Sequence, residues 1–504
     1  MRRWVLAIGA ATVVCGPTAL AFFSGGYFGP ARLIAGIAAW ALVVLVVLLT
    51  PRPLPSSTTG RVALAGLALL TAWTALSIAW APVAGRAQDD LQRLLLYLGF
   101  FLAAIVVLRG PGPRRWLEPA LLLGAFVVIG YSLSERLLPG VVDLARSESA
   151  AGRLEQPISY WNALGLLAAI GVVLATRVAG DPTRPRTMRG PAGAAGVTLG
   201  LGVYLSFSRG ALAAVAAGLL FLIALAPQGR PQVRAAVGVV GGSILAAVVA
   251  SHLRTVQSID PGEHGDSTEG LIMLGTLVVL GLAAAYLVTR RPAPRPPLAA
   301  SLPVSRATAV LTTAGVLILA GTLAAAIFEG KPEGSSPVRG ADPARFGSID
   351  TNRYRYWDVA ISSWADKPIA GLGSGGFQVE WLQQRDRVDK SGDAHSLYLE
   401  TLAELGVVGF IFLVIFLGGT AAAVVRLHRR APGAATALAG GLAAWAVHAG
   451  LDWDWEMPAV TLPALILGAA AVAWSEELPA AAAVPEVAPA PAAWREKGTD
   501  LVGI

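Results

Sequence analysis

One histidine of the chain lies where the longest hydrophilic stretch returns to an apolar segment. His395 belongs to the sequence DAHSLYLETLAELGVVGFIFLVIFL, residues 393–417. An imidazole titrates near neutral pH and can accept a proton from a sugar hydroxyl. A solvent-exposed loop histidine is the plainer reading. The position suits a substrate with a polar reactive end and a lipid tail, so we predict that His395 is a catalytic acid or base.

Three arginines are of a type and position that could bind a phosphate-like anion. Arg209, in YLSFSRGALAA, follows Ser208, which can cap the next helix, so the guanidinium would add to the positive end of that helix. Arg353 and Arg355, in NRYRYW, could hold a pyrophosphate as a pair through charge-assisted contacts. A snorkelling interfacial side chain is the alternative for Arg209, and headgroup anchoring is the alternative for the other two.

A late segment, HAGLDWDWEMP, combines carboxylates with tryptophans. Asp452 and Asp454 could bind acceptor hydroxyls or a cation, although their spacing is not specific for a metal. Trp453 and Trp455 fit an aromatic belt at a membrane surface as well as they fit sugar stacking. His448, near the end of its helix, is either a functional group or a histidine hydrogen-bonded within the bundle.

The composition is that of an integral membrane protein. Of 504 residues, 55% are apolar and only 14% are charged. The net charge of +7 comes from short basic clusters between apolar runs, which indicates membrane topology and not a nucleic-acid partner. The single cysteine, Cys15, excludes an intrachain disulfide and a cysteine zinc site.

Apolar runs of near-spanning length predict an all-α polytopic protein with about fourteen transmembrane helices. The runs lie near residues 4–23, 32–50, 62–80, 93–108, 117–134, 158–176, 191–207, 210–226, 235–251, 271–289, 307–328, 404–425, 432–450 and 457–474. Arginine clusters fall on alternate loops, so the positive-inside rule places both termini in the cytoplasm. The first run is expected to be an uncleaved signal-anchor, with a cleaved signal peptide as the alternative.

The hydrophilic segment before His395 is predicted to be one large extracytoplasmic loop. We expect transmembrane helices 1 to 11 within residues 1–328, a catalytic loop at 329–395, three last transmembrane helices at 396–474 and a disordered cytoplasmic tail at 475–504. In the loop, apolar spacing predicts an amphipathic helix that begins after Asn352 and ends at Lys367 and Pro368. Clustered glycines then predict a tight reversal, followed by a second polar helix at about 377–388.

The order of these motifs resembles the O-antigen ligase and O-antigen polymerase superfamily. A serine-arginine-glycine at a helix start is followed by a late loop that begins NRYRYWDVAISSWADKPIAGLGSGGF and closes DAHSLYLETLAELGVVG. The resemblance is close over 352–415 and looser over 205–215, and QPISYWNALG also looks like a family segment. Two features depart from the family pattern. Ser396 follows the histidine where asparagine is common, and family members often have nearer twelve helices.

The resemblance implies a GT-C-like, metal-independent glycosyltransferase of the bacterial cytoplasmic (inner) membrane that needs no cofactor. Its donor would be a glycan on polyprenyl pyrophosphate, and its acceptor a hydroxyl of a glycan or glycolipid at the outer face, among membrane lipids. Carried over by position, Arg209 and Arg353 would bind the pyrophosphate, and His395 would activate the acceptor hydroxyl. Further substrate-binding candidates from the residues themselves are Arg355, Asn162, Asp452 and Asp454.

A multi-span transporter or a lipid-linked glycan flippase is the alternative from a different class. A transporter is expected to have paired broken helices and ionisable groups at mid-bilayer, whereas here the charges gather at the outer mouth. Ligase and polymerase share the same donor chemistry and differ in the acceptor, so both remain open.

Overall fold

The described part of the chain is a bundle of α-helices. The structure is a computed structural model that describes residues 2–227, 229–260, 262–290, 340–343, 352–385 and 390–477. These residues form sixteen α-helices and two short 3-10 helices, Ser24–Gly26 and Asp454–Glu456. The α-helices are α1 (Arg2–Ala21), α2 (Gly29–Leu49), α3 (Thr58–Ser77), α4 (Ala84–Val107), α5 (Pro111–Leu137), α6 (Trp161–Gly180), α7 (Arg186–Leu205), α8 (Arg209–Leu225), α9 (Gly229–Ala250), α10 (Arg254–Gln257), α11 (Ser267–Thr289), α12 (Arg353–Asp366), α13 (Phe377–Gln384), α14 (Leu397–His428), α15 (Pro432–Ala449) and α16 (Pro458–Glu477).

The predicted apolar runs are helical wherever the structure describes them. Thirteen of the fourteen coincide with α1 to α9, α11 and α14 to α16, and the run at 307–328 lies outside the described residues. Ten described helices are long and apolar enough to span a membrane. The other three are α7, α8 and α15; of these, α8 has only 17 residues. The all-α membrane fold is thus confirmed, while the count of fourteen spans stays a prediction.

The two central helices are α6 and α16. In each, every residue of the most apolar stretch is buried inside the protein. Their sequences are rich in alanine, leucine, valine and glycine, so they offer apolar contact in every direction. A helix that is apolar all round is buried on all sides, whereas a helix facing lipid on one side keeps exposed apolar residues there. The remaining helices surround this pair. In α2 and α9, for example, only 28% of the residues in the most apolar stretch are buried inside the protein.

The predicted amphipathic helix and glycine reversal of the hydrophilic segment are both present. The helix is α12, and it ends at Asp366, directly before Lys367 and Pro368. Gly371, Gly373 and Gly375 then adopt positive φ angles. The predicted second helix is α13, Phe377–Gln384; the last predicted positions, 386–389, lie outside the described residues. The predicted end of the loop, at 395, lies within the described residues, whereas its predicted start at 329 does not. The tail was predicted to begin at 475, but α16 continues to Glu477, so residues 475–477 are helical, and residues 478–504 lie outside the described residues.

The reversal is attached to a break inside α14. Gly406 has φ 64° and ψ −169°, a region open only to glycine, and it interrupts the helical hydrogen bonding. The carbonyls of Ala403 and Glu404 instead accept bonds from the amides of Leu372 (2.9 Å) and Gly373 (2.8 Å). The loop therefore supplies the partners that the broken helix lacks.

The side chain of Glu404 adds a second attachment. Its carboxylate accepts hydrogen bonds from the amides of Gly375 (2.9 Å) and Phe377 (3.0 Å), at the start of α13. Backbone and side chain of α14 thus hold the connection between α12 and α13. Because His395 lies two residues before α14, this attachment fixes the position of the histidine relative to α12.

Replacing Gly406 by alanine tests the attachment. A Cβ atom there would lie 2.2 Å from the carbonyl oxygen of Ile369, and the φ angle is unfavourable for any L side chain. We expect Gly406→Ala to lower the yield and thermal midpoint of the purified protein, with a loss of roughly 2 to 5 kcal/mol. The matched control is Gly418→Ala on the same helix, where a Cβ meets nothing within 4 Å. Equal midpoints for the two variants would contradict the role given to the break.

Candidate active site

The chemically competent residues gather where several helix ends meet at one face of the bundle. The starts of α6, α8, α12 and α14 lie there, together with the loop 450–457 that joins α15 to α16. Side-chain contacts tie these segments together, from Tyr160 before α6 to Asp452 in the loop, and from Ser208 before α8 to His448 near the end of α15. All seven site residues predicted from the sequence lie in or next to these segments.

Asp452 is the centre of one group of contacts. Its carboxylate forms an ion pair with Arg353 on α12 and accepts a hydrogen bond from the hydroxyl of Tyr160 (2.7 Å). The backbone amide of Trp453 donates to the same carboxylate (2.9 Å). Asn162 lies one step further back, since its side-chain amide donates to the Tyr160 oxygen (2.8 Å). Asn162 is buried and contacts Asp452 through Tyr160, whose hydroxyl it holds in place.

Opposing effects act on the ionisation of Asp452. Burial acts to raise the pKa of this carboxyl, but the electrostatic interactions with Arg353, His395 and His448 and the hydrogen bond from Tyr160 outweigh it. The pKa of Asp452 therefore lies below its usual range, and the group is a carboxylate at neutral pH. Arg353 responds in the opposite direction, because Asp452 overcomes the effect of burial and raises the guanidinium pKa.

His395 sits in an unusual backbone conformation between aromatic rings. Its φ angle is 56°, a left-handed geometry that histidine adopts more readily than most residues. Its ring centroid is 5.0 Å from that of Tyr356 on α12 and 6.3 Å from that of Trp453. The Nδ1 atom lies 3.1 Å from the backbone oxygen of Asp393.

That contact assigns the proton on the imidazole ring. A carbonyl oxygen can only accept, so Nδ1 must carry the hydrogen, and in the neutral ring the lone pair is then on Nε2. A neutral histidine held in this way has the tautomer required of a general base. Ser396, which follows it, accepts a hydrogen bond from the Leu399 amide and caps α14. Asparagine would serve as a cap equally well, so the departure from the family pattern at this position preserves the start of α14.

A second buried group lies at the start of α8. Ser208 caps this helix by accepting from the Ala211 amide (3.2 Å), as predicted, and its hydroxyl is 3.5 Å from Nε2 of His448. Nδ1 of His448 is 2.6 Å from the carboxylate of Asp454. Arg209, between Ser208 and Gly210, is thereby placed at the N-terminal end of α8 and beside the histidine.

Asp454 has a different environment from Asp452. Its carboxylate and the imidazole of His448 are both fully buried. Burial raises the pKa of Asp454 in spite of His448, which acts to lower it. In this arrangement Asp454 holds His448, and His448 in turn contacts the cap of α8. His448 is thus hydrogen-bonded within the bundle, which is one of the two interpretations that the sequence allowed.

Arg353 and Arg355 do not lie side by side. Both belong to α12, and residues two apart on a helix point about 200° away from each other around its axis. Arg353 contacts the loop that carries Asp452, so Arg355 is directed to another side of α12. The geometry favours Arg353 alone at the centre of the site and does not support a two-arginine clamp on one face of the helix.

A set of carboxylates lies close to His395. Oxygen atoms of Asp393, Glu400 and Glu456 are within 4.8 Å of one another, a spacing that could accommodate a shared cation. Arg93, on α4, forms an ion pair with Glu456 and another with Asp90 (2.6 Å). One arginine thus partly neutralises several acidic groups.

Crowding and burial change the acidity of this set. Burial, then the neighbouring Asp90, outweigh the opposing charge of Arg93 and raise the pKa of Asp393 to about 6. Burial also raises the pKa of Glu456 well above its usual range, although its partner Arg93 acts to lower it. Some of these groups are thus protonated at or near neutral pH.

Several contributors to the site were missed by the sequence interpretation, among them Tyr160, Asp393 and Arg93. Tyr160 lies only two residues before Asn162, which was selected. Asp393 opens the segment quoted for His395. Arg93 lies in an apolar helix three residues after Asp90, and this spacing is a detectable sign of an ion pair at a membrane helix end.

The pKa of Asp393 leads to a test of stability against pH. Between pH 3.8 and about 6 the unfolded chain loses this proton while the folded protein retains it, so the contribution of Asp393 to stability falls as pH rises through that window. Asp393→Asn never ionises. We expect it to be more stable than the parent at pH 7.5, by about 1 to 3 kcal/mol after allowance for solvent screening, and by less at pH 4.5.

Thermal unfolding in detergent at both pH values measures the difference, and Asp366→Asn at the exposed end of α12 is the control. A variant less stable than the parent at pH 7.5, combined with a lower midpoint of the parent in chelator, would point to a shared cation instead.

The chain matches one family of known proteins. Residues 194–414 match the family model described as O-Antigen ligase. This region contains Arg209, Arg353, Arg355 and His395, whereas Asn162, Asp452 and Asp454 lie outside it. No curated protein matches the chain. Over residues 194–414 the chain is therefore similar to O-antigen ligases, and this match supports the O-antigen ligase/polymerase superfamily.

Proposed function

We propose that this membrane enzyme moves a glycan from a polyprenyl-pyrophosphate carrier to an acceptor hydroxyl at the outer face of the cytoplasmic membrane. One observation carries the proposal. Arg353, Asp452 and His395 meet at one face of the bundle, at the ends of apolar helices, in a chain that matches the O-antigen ligase family. A lipid-linked donor delivers its reactive group at that depth, with the carrier tail in the bilayer.

The reaction needs positive charge at the leaving group. The acceptor oxygen attacks the anomeric carbon of the donor sugar, the bond from that carbon to the phosphate oxygen breaks, and its electron pair leaves with the pyrophosphate. Arg353 and Arg209 would stabilise this developing charge, Arg209 together with the N-terminal end of α8. In the described structure Arg353 is paired with Asp452, so the pyrophosphate competes with a carboxylate for the guanidinium.

The reaction also needs a base. The proton of the acceptor hydroxyl would pass to Nε2 of His395, whose Nδ1 hydrogen is directed at the Asp393 carbonyl. Asp452 would then stabilise the imidazolium that forms, because its carboxylate lies close enough to interact with a charge on the ring. In this proposal His395 is the catalytic residue, while Asn162 and Asp454 act through Tyr160 and His448 as positioning residues.

Aromatic side chains around the histidine offer surfaces for sugar rings. The ring of Trp453 lies 4.5 Å from that of Tyr160 and 5.4 Å from that of Tyr27, centroid to centroid. Sugars stack on such faces through their apolar C–H surfaces. We place the transferred or accepting sugar beside this cluster, within reach of His395. The proposal requires no metal, and a chelator should leave the rate unchanged.

The first test of the proposed base is His395→Ala. Purified enzyme incubated with a polyprenyl-pyrophosphate glycan and a glycan acceptor should release free carrier, and the variant should release it at least about 100-fold more slowly because the proton acceptor is lost. The variant should keep the parent's elution profile and thermal midpoint. His264→Ala, an exposed histidine between α9 and α11, should retain full activity.

Equal activity of His395→Ala and His264→Ala would exclude the base. Movement of the lipid-linked donor across vesicles without new glycosidic bonds would favour a flippase or transporter in place of a transferase.

A second test concerns the pyrophosphate. Arg353→Gln removes a charge-assisted contact, so we expect kcat/KM for the donor to fall by roughly 10- to 100-fold. Arg355→Gln, on another side of α12, should have a smaller effect. The variants are compared in the same carrier-release assay at several donor concentrations. A larger loss with Arg355→Gln than with Arg353→Gln would reverse the assignment.

Ligase and polymerase activities differ in what the cell accumulates. In a deletion strain, loss of chain length indicates a polymerase, whereas full-length carrier-linked chains indicate a ligase. Complementation with His395→Ala should leave either phenotype unrescued.

A further inference from the structure

A cavity of about 610 Å³ lies at the other end of the helices that carry the candidate active site. α6 runs from Trp161 beside the site to Gly180 at the cavity, and its 20 residues span about 30 Å. α8 and α15 connect the two ends in the same way, with Ala226 and Pro432 at the cavity. The cavity is therefore at the opposite membrane face, which the positive-inside rule assigns to the cytoplasm.

The cavity wall carries more positive than negative charge. Four arginines line it, against the carboxylates Glu118 and Asp181; the arginines are Arg114, Arg115, Arg177 and Arg184. Both carboxylates already form ion pairs with two of these arginines. Asp181 lies 3.0 Å from Arg177, and Glu118 lies 2.7 Å from Arg184.

The other two arginines have no such partner. Neither Arg114 nor Arg115 forms an ion pair with a carboxylate among the residues that the structure describes. Arg114 directs its Nε at the backbone oxygen of Gly110 (3.3 Å), and Arg115 lies against the neighbouring ring of Trp116. Within the part of the chain that the structure describes, these two guanidinium charges have no carboxylate partner.

Three helices begin at the same cavity without a side-chain cap. They are α5, α7 and α15, whose first turns contribute Pro111, Pro185 at the cap position, and Gly433. The N-terminal end of a helix carries partial positive charge, which favours a nearby anion. Three such ends and four arginines lie around the same cavity.

Membrane topology alone does not account for this arrangement. Arginines that only follow the positive-inside rule need to lie in a cytoplasmic loop, with their charges in water. Arg177 is instead 8% exposed, and its buried Nε makes no hydrogen bond, the carboxylate of Glu118 lying 3.9 Å away. The Nε atom of Arg184 is also buried without a hydrogen bond, 3.4 Å from the carboxylate of Asp181. Buried donors without a hydrogen bond can be satisfied by the oxygen atoms of water or of a ligand.

We propose that this cavity binds a phosphate group. The headgroup of an anionic phospholipid and a soluble phosphate compound both supply that chemistry, and basic pockets between helices at the cytoplasmic face are suited to lipid phosphates. The volume is in the range of small-molecule sites. Trp116 is 54% exposed next to Arg115, which places an aromatic anchor at the edge of the cavity.

Two variants are expected to weaken phosphate binding in the cavity in different ways. Arg114→Gln with Arg115→Gln removes the two charges that have no carboxylate partner among the described residues. Gly433→Asp adds a carboxylate where a Cβ has ordinary contact with Arg177 at 3.6 Å, and an acidic residue suits the first turn of a helix, so folding is retained. Arg290→Gln is the control, an exposed arginine at the end of α11 that is not part of the cavity wall.

Binding is measured with the purified full chain. Native mass spectrometry counts phosphatidylglycerol retained against phosphatidylcholine, and calorimetry with inorganic phosphate covers the soluble source. The parent and Arg290→Gln should bind one probe roughly tenfold more tightly than Arg114→Gln/Arg115→Gln and Gly433→Asp do. Phosphate can also enter the candidate active site, so only differences among these variants count.

Retention of phosphatidylglycerol without phosphate binding identifies a lipid headgroup, and the converse identifies a soluble phosphate. If both variants bind both probes as tightly as the parent does, the proposal is wrong. The outcome is independent of the glycosyl-transfer proposal, because no residue of the candidate active site is altered.

Discussion

The arrangement of the candidate active site depends on one buried carboxylate. Asp452 lies in a short loop between two membrane helices, where an unpaired charge would be costly, and it is stabilised by Arg353, Tyr160 and a backbone amide. Each partner comes from a different part of the chain. The carboxylate therefore connects the hydrophilic segment to the helix bundle, and His395, the proposed base, lies close enough to interact with the same ion pair.

The second group, Ser208, His448 and Asp454, resembles the order of groups in hydrolases that use a serine nucleophile. Its surroundings argue against that chemistry. Both the imidazole and the carboxylate are fully buried, and the serine hydroxyl is already engaged as a helix cap. Its effect is to fix the start of α8 and thereby the backbone of Arg209. The same residue types thus fix the backbone at one point of the face and, in the proposed mechanism, take part in the reaction at another.

Local structure could be predicted because it depends on neighbouring residues. The spacing of Trp357, Ala360 and Ile361 defined the amphipathic helix, and Ser208 defined a helix start. Pairings between distant segments were not accessible in this way. The ion pair between Arg93 and Glu456 joins residues more than 350 positions apart, and it depends on how α4 packs against the loop before α16. Likewise, Arg353 and Arg355 are equivalent in a linear sequence, and only the helix shows that they point in different directions.

The interruption of α14 at Gly406 divides that helix into two parts with different attachments. Carbonyls just before the break are bonded to the hydrophilic connection, whereas residues after it continue as a membrane span. We expect tilting of the span, as bilayer thickness changes, to be absorbed at this glycine. The imidazole would then keep its alignment with the substrate in membranes of differing lipid composition.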